Sequence, residues 1–201
     1  MYDIDDLKNL VDMAAGGRSP ADLLITNAKL VDVLTGEIRE TDVSVGGGKI
    51  LGFSHTEAVK VVDARGAYLL PGLIDAHIHI ESSMVSPARF AGLVLPHGTT
   101  SVVADPHEIA NVHGLEGIRY MLENGRHLPL NIFIALPSCV PATPFEDSGA
   151  VLSAEELEEL IDDPKVTGIG EMMNFPGVVS GDYDVLAKIQ LGTSHGKIVD
   201  G

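Results

Sequence analysis

Tryptophan is absent from this 201-residue chain, and aromatic residues make up only 4% of it. A core must therefore rest on Val, Ile, Leu, Ala and Met. Cys139 is the single cysteine, which excludes an internal disulfide and gives no sign of an oxidising compartment. It lies close to the apolar run 131–136, where a buried, inert thiol is expected rather than a nucleophile. Basic residues are scarce too: 13 Lys and Arg stand against 29 Asp and Glu, for a net charge of −16. With no basic cluster and a surface that repels phosphate, nucleic acid is not an expected partner. No apolar run approaches the roughly 20 residues of a membrane span. The opening MYDIDDLKNL also lacks the basic and apolar regions of a secretory signal. The expected setting is cytoplasmic, with no membrane partner.

What remains is an apolar-rich chain, 45% hydrophobic and 21% charged, able to bury a sizeable core. Residues 1–20 read as a helical lead-in, with Leu7, Leu10, Val11 and Ala14 at helical spacing before the breaker run Gly16-Gly17-Arg18-Ser19-Pro20. Residues 21–70 carry short β-type runs at 23–25, 29–34, 42–45, 50–53 and 59–62, separated by turn signals. They predict a small β-sandwich-type domain. Gly46-Gly47-Gly48-Lys49 lacks phosphate-loop spacing and reads as a hairpin turn.

From Pro71 the pattern alternates strand and helix. Strands are predicted at 73–79, 100–104, 131–136 and 166–170, with a fifth opening at 197–199. Helices are predicted at 87–95, 115–124, 154–161 and 183–191, the third with a Ser153/Glu156 capping box. The fold class is α/β, with a parallel sheet that is open or closed into a barrel. If it is a barrel, residues 71–201 supply its N-terminal half, since a complete one takes roughly 250 residues.

The chemistry-bearing residues gather at strand ends. Asp75-Ala76-His77-Ile78-His79 closes the first strand of this region, and residues i and i+2 of a strand face the same way. His77 and His79 thus offer two neighbouring imidazoles to a divalent metal. Two ordinary histidines are the alternative, but barrel active sites gather at the C-terminal ends of strands. Asp105-Pro106-His107-Glu108 follows the second strand, with Asn111 and His113 beyond. These suit ligands of an additional metal, acid/base groups or supports for the first ligands, or else Asp105 merely caps a helix. Glu171 follows the fourth strand on the same rim, where a carboxylate can bridge two ions. Ser82-Ser83 is not set in a nucleophile elbow.

Pro71-Gly72-Leu73-Ile74-Asp75-Ala76-His77-Ile78-His79 resembles the first-strand signature of the amidohydrolase superfamily. Ile80-Glu81-Ser82-Ser83, the segment Asp105 to Val112 and the segment Gly170 to Val178 are similar, more narrowly, to its adenine deaminase branch. The likeness runs from about residue 21 onward. It implies a partial (β/α)8 metal-dependent hydrolase barrel preceded by the β-sandwich-type region. It implies hydrolysis of adenine to hypoxanthine and ammonia at a binuclear Mn or Fe centre, with Zn possible. His77 and His79 would hold the first metal and Glu171 would bridge the pair, while Glu81, Asp105, His107 and Glu108 are unranked candidates for catalytic or supporting roles. The pattern also asks for two further histidines after strands five and six and an Asp after strand eight. Residues 196–201 resemble the segment just before the first of those histidines, so the expectation is an N-terminal fragment, inactive alone. A homo-oligomer is also expected. Another amidohydrolase acting on a cyclic amide or N-acetyl substrate, or a non-catalytic assembly module, is the alternative.

Overall fold

The computed structural model describes all residues except 1, 2, 17, 18, 55 and 144, so two positions of the expected breaker run lie outside the described residues. The chain divides into two units, Met1–Pro71 and Gly72–Gly201.

The first unit opens with α1 (Ile4–Ala14), started by Asp3, whose carboxylate accepts from the Asp5 and Asp6 amides at 2.8 and 2.9 Å. Asp5 and Asp6 add negative charge where the helix dipole is positive. Five strands follow: β1 (Ala21–Val31), β2 (Ile38–Gly46), β3 (Lys49–Gly52), β4 (Ala58–Asp63) and β5 (Tyr68–Leu69). They form one mixed sheet of order β3-β2-β1-β4, with β5 also beside β1. The expected run 23–25 and the first part of 29–34 are a single strand ending at Val31, joined through an irregularity at 25–28 where Asn27 takes φ 54. The β2–β3 hairpin turns on Gly47 and Gly48 at φ 56 and 70, conformations glycine adopts without a Cβ penalty.

The second unit is a parallel sheet of β6 (Leu73–Ile78), β7 (Thr99–Ala104), β8 (Asn131–Leu136), β9 (Val166–Ile169) and β10 (Ile198–Val199), paired in chain order. Between them run α2 (Pro87–Val94), α3 (His107–Gly125), α4 (Ala154–Ile161), α5 (Phe175–Ser180) and α6 (Tyr183–Ser194). Val102, Ile132, Ile134, Leu136, Val166 and Ile169 of the strands pack with Ile118, Met121, Leu157 and Ile161 of the helices in one buried cluster. Each such side chain contributes about 1.5–3 kcal/mol on burial. Strand apolarity on both faces is what a helix-covered parallel sheet requires. Among the described residues no helix is long and apolar enough to cross a membrane.

Three local features depart from the expected pattern. The helix expected from residue 115 begins at His107 and bends at Gly114, whose φ of 60 and ψ of −144 are not helical. The helix α5 is not among those expected; Phe175-Pro176 opens it, because proline is tolerated in the first helical turn. A 3₁₀ turn over Ile80–Ser83 follows β6. Because all five strands point the same way, their C-terminal ends line one edge. His77 and His79, Asp105 and His107, Ser138 and Cys139, Glu171, and Asp200 all emerge there.

Candidate metal centre

Three donors converge on this edge. His77 Nε2 lies 3.0 Å from Glu171 Oε1, His79 Nε2 lies 2.8 Å from the same oxygen, and the two ring nitrogens are 3.2 Å apart. The rings meet nearly edge to face, with centroids 5.1 Å apart at 74°. Ligand atoms about 2.1 Å from one tetrahedral or octahedral cation sit about 3.0–3.4 Å from one another. The triangle of donors is close to those spacings, so the residues fit a divalent ion. The mixed imidazole–carboxylate set suits Zn, Mn or Fe chemistry.

The surroundings hold the trio in place. His79 Nδ1 lies 3.2 Å from Glu108 Oε2, and the other oxygen of Glu108 accepts a 2.7 Å hydrogen bond from the Ser82 hydroxyl. Burial disfavours the charged form of His79. The Glu108 charge, the Glu171 hydrogen bond and the neighbouring Asp105 together outweigh it, so the ring's pKa is raised. Burial works against ionised Glu108 as well, yet the Ser82 hydrogen bond and neighbouring imidazoles bring its pKa below the ordinary value. Glu81 goes the other way, since burial raises its pKa beyond what the Ile109 amide bond to Oε1 offsets.

Asp105 is fully buried, and its Oδ2 accepts from the Glu171 amide at 3.0 Å. It therefore does not cap α3, which begins after Pro106 without a side-chain cap. This bond crosses from the end of β7 to the end of β9 and fixes the backbone that carries Glu171. His107 is buried beside it, and its Nε2 accepts from the Cys139 amide at 3.4 Å. Asn111 turns back to the His107 carbonyl at 2.9 Å and His113 is exposed.

Sequence reasoning missed three participants. Asp200 ends β10 with Oδ2 3.6 Å from His77 Nδ1. Ser138, after β8, donates its hydroxyl to the Glu171 carbonyl. Gly170 leaves room for Asp105, whose Oδ2 lies 2.1 Å from where a Cβ would stand. The signal available for Asp200 and Ser138 was their place at strand ends, where the other polar residues of the edge were found.

A family model described as "Amidohydrolase family" matches residues 68–201, two thirds of the chain. The chain belongs to the amidohydrolase family. Among curated amidohydrolase relatives, the chain is 63% identical over 195 residues to "Adenine deaminase" of Nitratidesulfovibrio vulgaris (strain DP4), covering 97% of this chain and 34% of that protein. It is 52% identical over 188 residues to "Adenine deaminase" of Desulfatibacillum aliphaticivorans, covering 94% and 33%. The chain thus spans about a third of the length of these curated relatives. A solved D-aminoacylase matches with a TM-score of 0.64 at 19% identity, over 90% of this chain and 44% of that one, a likeness of fold alone.

Proposed function

We propose that these residues form part of an adenine deaminase, which hydrolyses adenine to hypoxanthine and ammonia. The observation that carries this is the convergence of His77, His79 and Glu171, on a chain whose curated relatives bear that name. In the overall reaction water delivers its oxygen to C6 of the purine, the C6–N6 bond breaks, and N6 leaves as ammonia with the added proton. His77, His79 and Glu171 would hold Mn or Fe, with Zn an alternative, and Glu171 would be shared by two ions. When bound, a divalent metal would make water more acidic and steady negative charge on the attacking oxygen.

The chain's own residues then have distinct tasks. Ser82 and Glu108 orient the His79 ring, and an oriented imidazole is a better ligand. Asp105 and Ser138 fix the Glu171 backbone from both sides. Glu81 keeps its proton to higher pH than an ordinary glutamate, and its buried Oε2 has no hydrogen-bond partner among the described residues. In this reading Glu81 would carry a proton at that oxygen between water and the leaving amine.

A chimera tests this reading. Residues 1–201 are joined to the remainder of the Nitratidesulfovibrio vulgaris relative, the roughly two thirds of it that this chain does not match. The Mn-loaded chimera is expected to release ammonia from adenine, and the isolated 201-residue chain is expected to release none. A folded, metal-loaded chimera that ignores adenine but opens hydantoins or deacetylates N-acetyl sugars would assign a different amidohydrolase substrate.

A further inference from the structure

Behind the trio lies a second group of donors. His79, Asp105 and His107 each place one ligand-type atom within 4.8 Å of the others. Asp105 is 0% exposed and His107 5%. His79 Nδ1, Asp105 Oδ1 and His107 Nδ1 are all buried, and none has a hydrogen-bond partner among the described residues.

A buried carboxylate is costly unless each oxygen is compensated. Asp105 Oδ2 has the Glu171 amide. Its Oδ1 lies 2.6 Å from His107 Nδ1, but the two are not aligned as donor and acceptor, so the approach is close without being a hydrogen bond. Two unsatisfied buried donors brought together off-line are what a shared cation would organise. On one ion with bonds of about 2.1 Å they would sit about 3.0 Å apart, a small opening from the present separation. The other ring nitrogen of His107 is already occupied by the Cys139 amide, which leaves Nδ1 as the face turned to Asp105. His79 has likewise engaged Nε2 with Glu171, and its Nδ1 faces Glu108 Oε2 at 3.2 Å without an aligned hydrogen bond.

We infer that Asp105 Oδ1, His107 Nδ1 and His79 Nδ1 form a second, buried divalent-cation site, which shares the His79 ring with the His77–His79–Glu171 centre. Its two imidazole nitrogens and one carboxylate oxygen select a borderline ion such as Zn²⁺, Co²⁺, Mn²⁺ or Fe²⁺ over Ca²⁺ or Mg²⁺. Filling the second site would also lock Asp105, and through it the backbone of Glu171. The site does not require the first centre to hold metal.

The test uses the 201-residue chain carrying H77A and E171Q together, which removes two partly exposed donors of the first centre and leaves the buried cluster intact. Co²⁺ is the probe, followed by bound-metal analysis and by the visible absorption of nitrogen- and oxygen-ligated cobalt. One equivalent of Co²⁺ is expected to remain on the double variant, and adding H107F is expected to remove it. Zero uptake by the double variant overturns the site and leaves Asp105 and His107 as a plain ion pair. Uptake that survives H107F in a folded protein, checked by circular dichroism, overturns it as well. Loss of the first centre alone would show instead as equal Co²⁺ uptake by the unmodified chain and the double variant.

Discussion

Replacing Glu171 with Gln is expected to lower metal affinity at the His77–His79 centre by at least about 100-fold, the upper end of what losing a mere outer partner of a metal ligand costs. Glu171 Oε1 stands 3.0 and 2.8 Å from the two imidazoles, and it is the only carboxylate oxygen in that group of donors. Gln keeps the shape but removes the charge, and a neutral amide oxygen is a much weaker ligand than a carboxylate. The side chain is one-third exposed, so the substitution should leave the fold and the thermal midpoint almost unchanged. Competition against a chromophoric chelator measures the affinity, and an unchanged value would remove Glu171 from the ligand set.

The second large effect is expected at a residue with no side chain. A Cβ on Gly170 would stand 2.1 Å from Asp105 Oδ2 and 2.7 Å from its Cγ. Asp105 has no solvent to retreat into, so Gly170→Ala must displace either the carboxylate or strand β9. The overpacking, plus the lost bond from the Glu171 amide, should cost on the order of 3 kcal/mol. Gly92→Ala provides the contrast. That glycine lies within α2 with open space around it, and alanine there should be neutral or stabilising by up to about 1 kcal/mol. Denaturant unfolding of both variants compares them directly. Equal stability of the two would mean that Gly170 is not needed to seat Asp105.

Much of this edge was legible before any coordinates, for reasons tied to period. In a strand i and i+2 share a face, so His77 and His79 could be paired from spacing alone. The alternation of strand and helix from Pro71 placed Asp105, His107 and Glu171 at ends of parallel strands, hence on one rim. What could not be read was which of these side chains meet. His77 and Glu171 are 94 positions apart, and the Asp105–Glu171 amide bond joins residues 66 apart. Local pattern carries no information at that range. Asp200 follows a strand of two residues with no motif around it, and Ser138 acts through a hydroxyl on a backbone carbonyl. Gly170 matters only because of a carboxylate arriving from another strand. The start of α3 at His107 was hidden by the interruption at Gly114, which splits the helical period.

The central claim is that His77, His79 and Glu171 bind a divalent ion together. Anomalous diffraction from crystals of the 201-residue chain grown with Mn²⁺ tests it most directly. The account predicts a peak within about 2.0–2.4 Å of His77 Nε2, His79 Nε2 and Glu171 Oε1. Well-ordered side chains at these three positions with no anomalous density between them would contradict it.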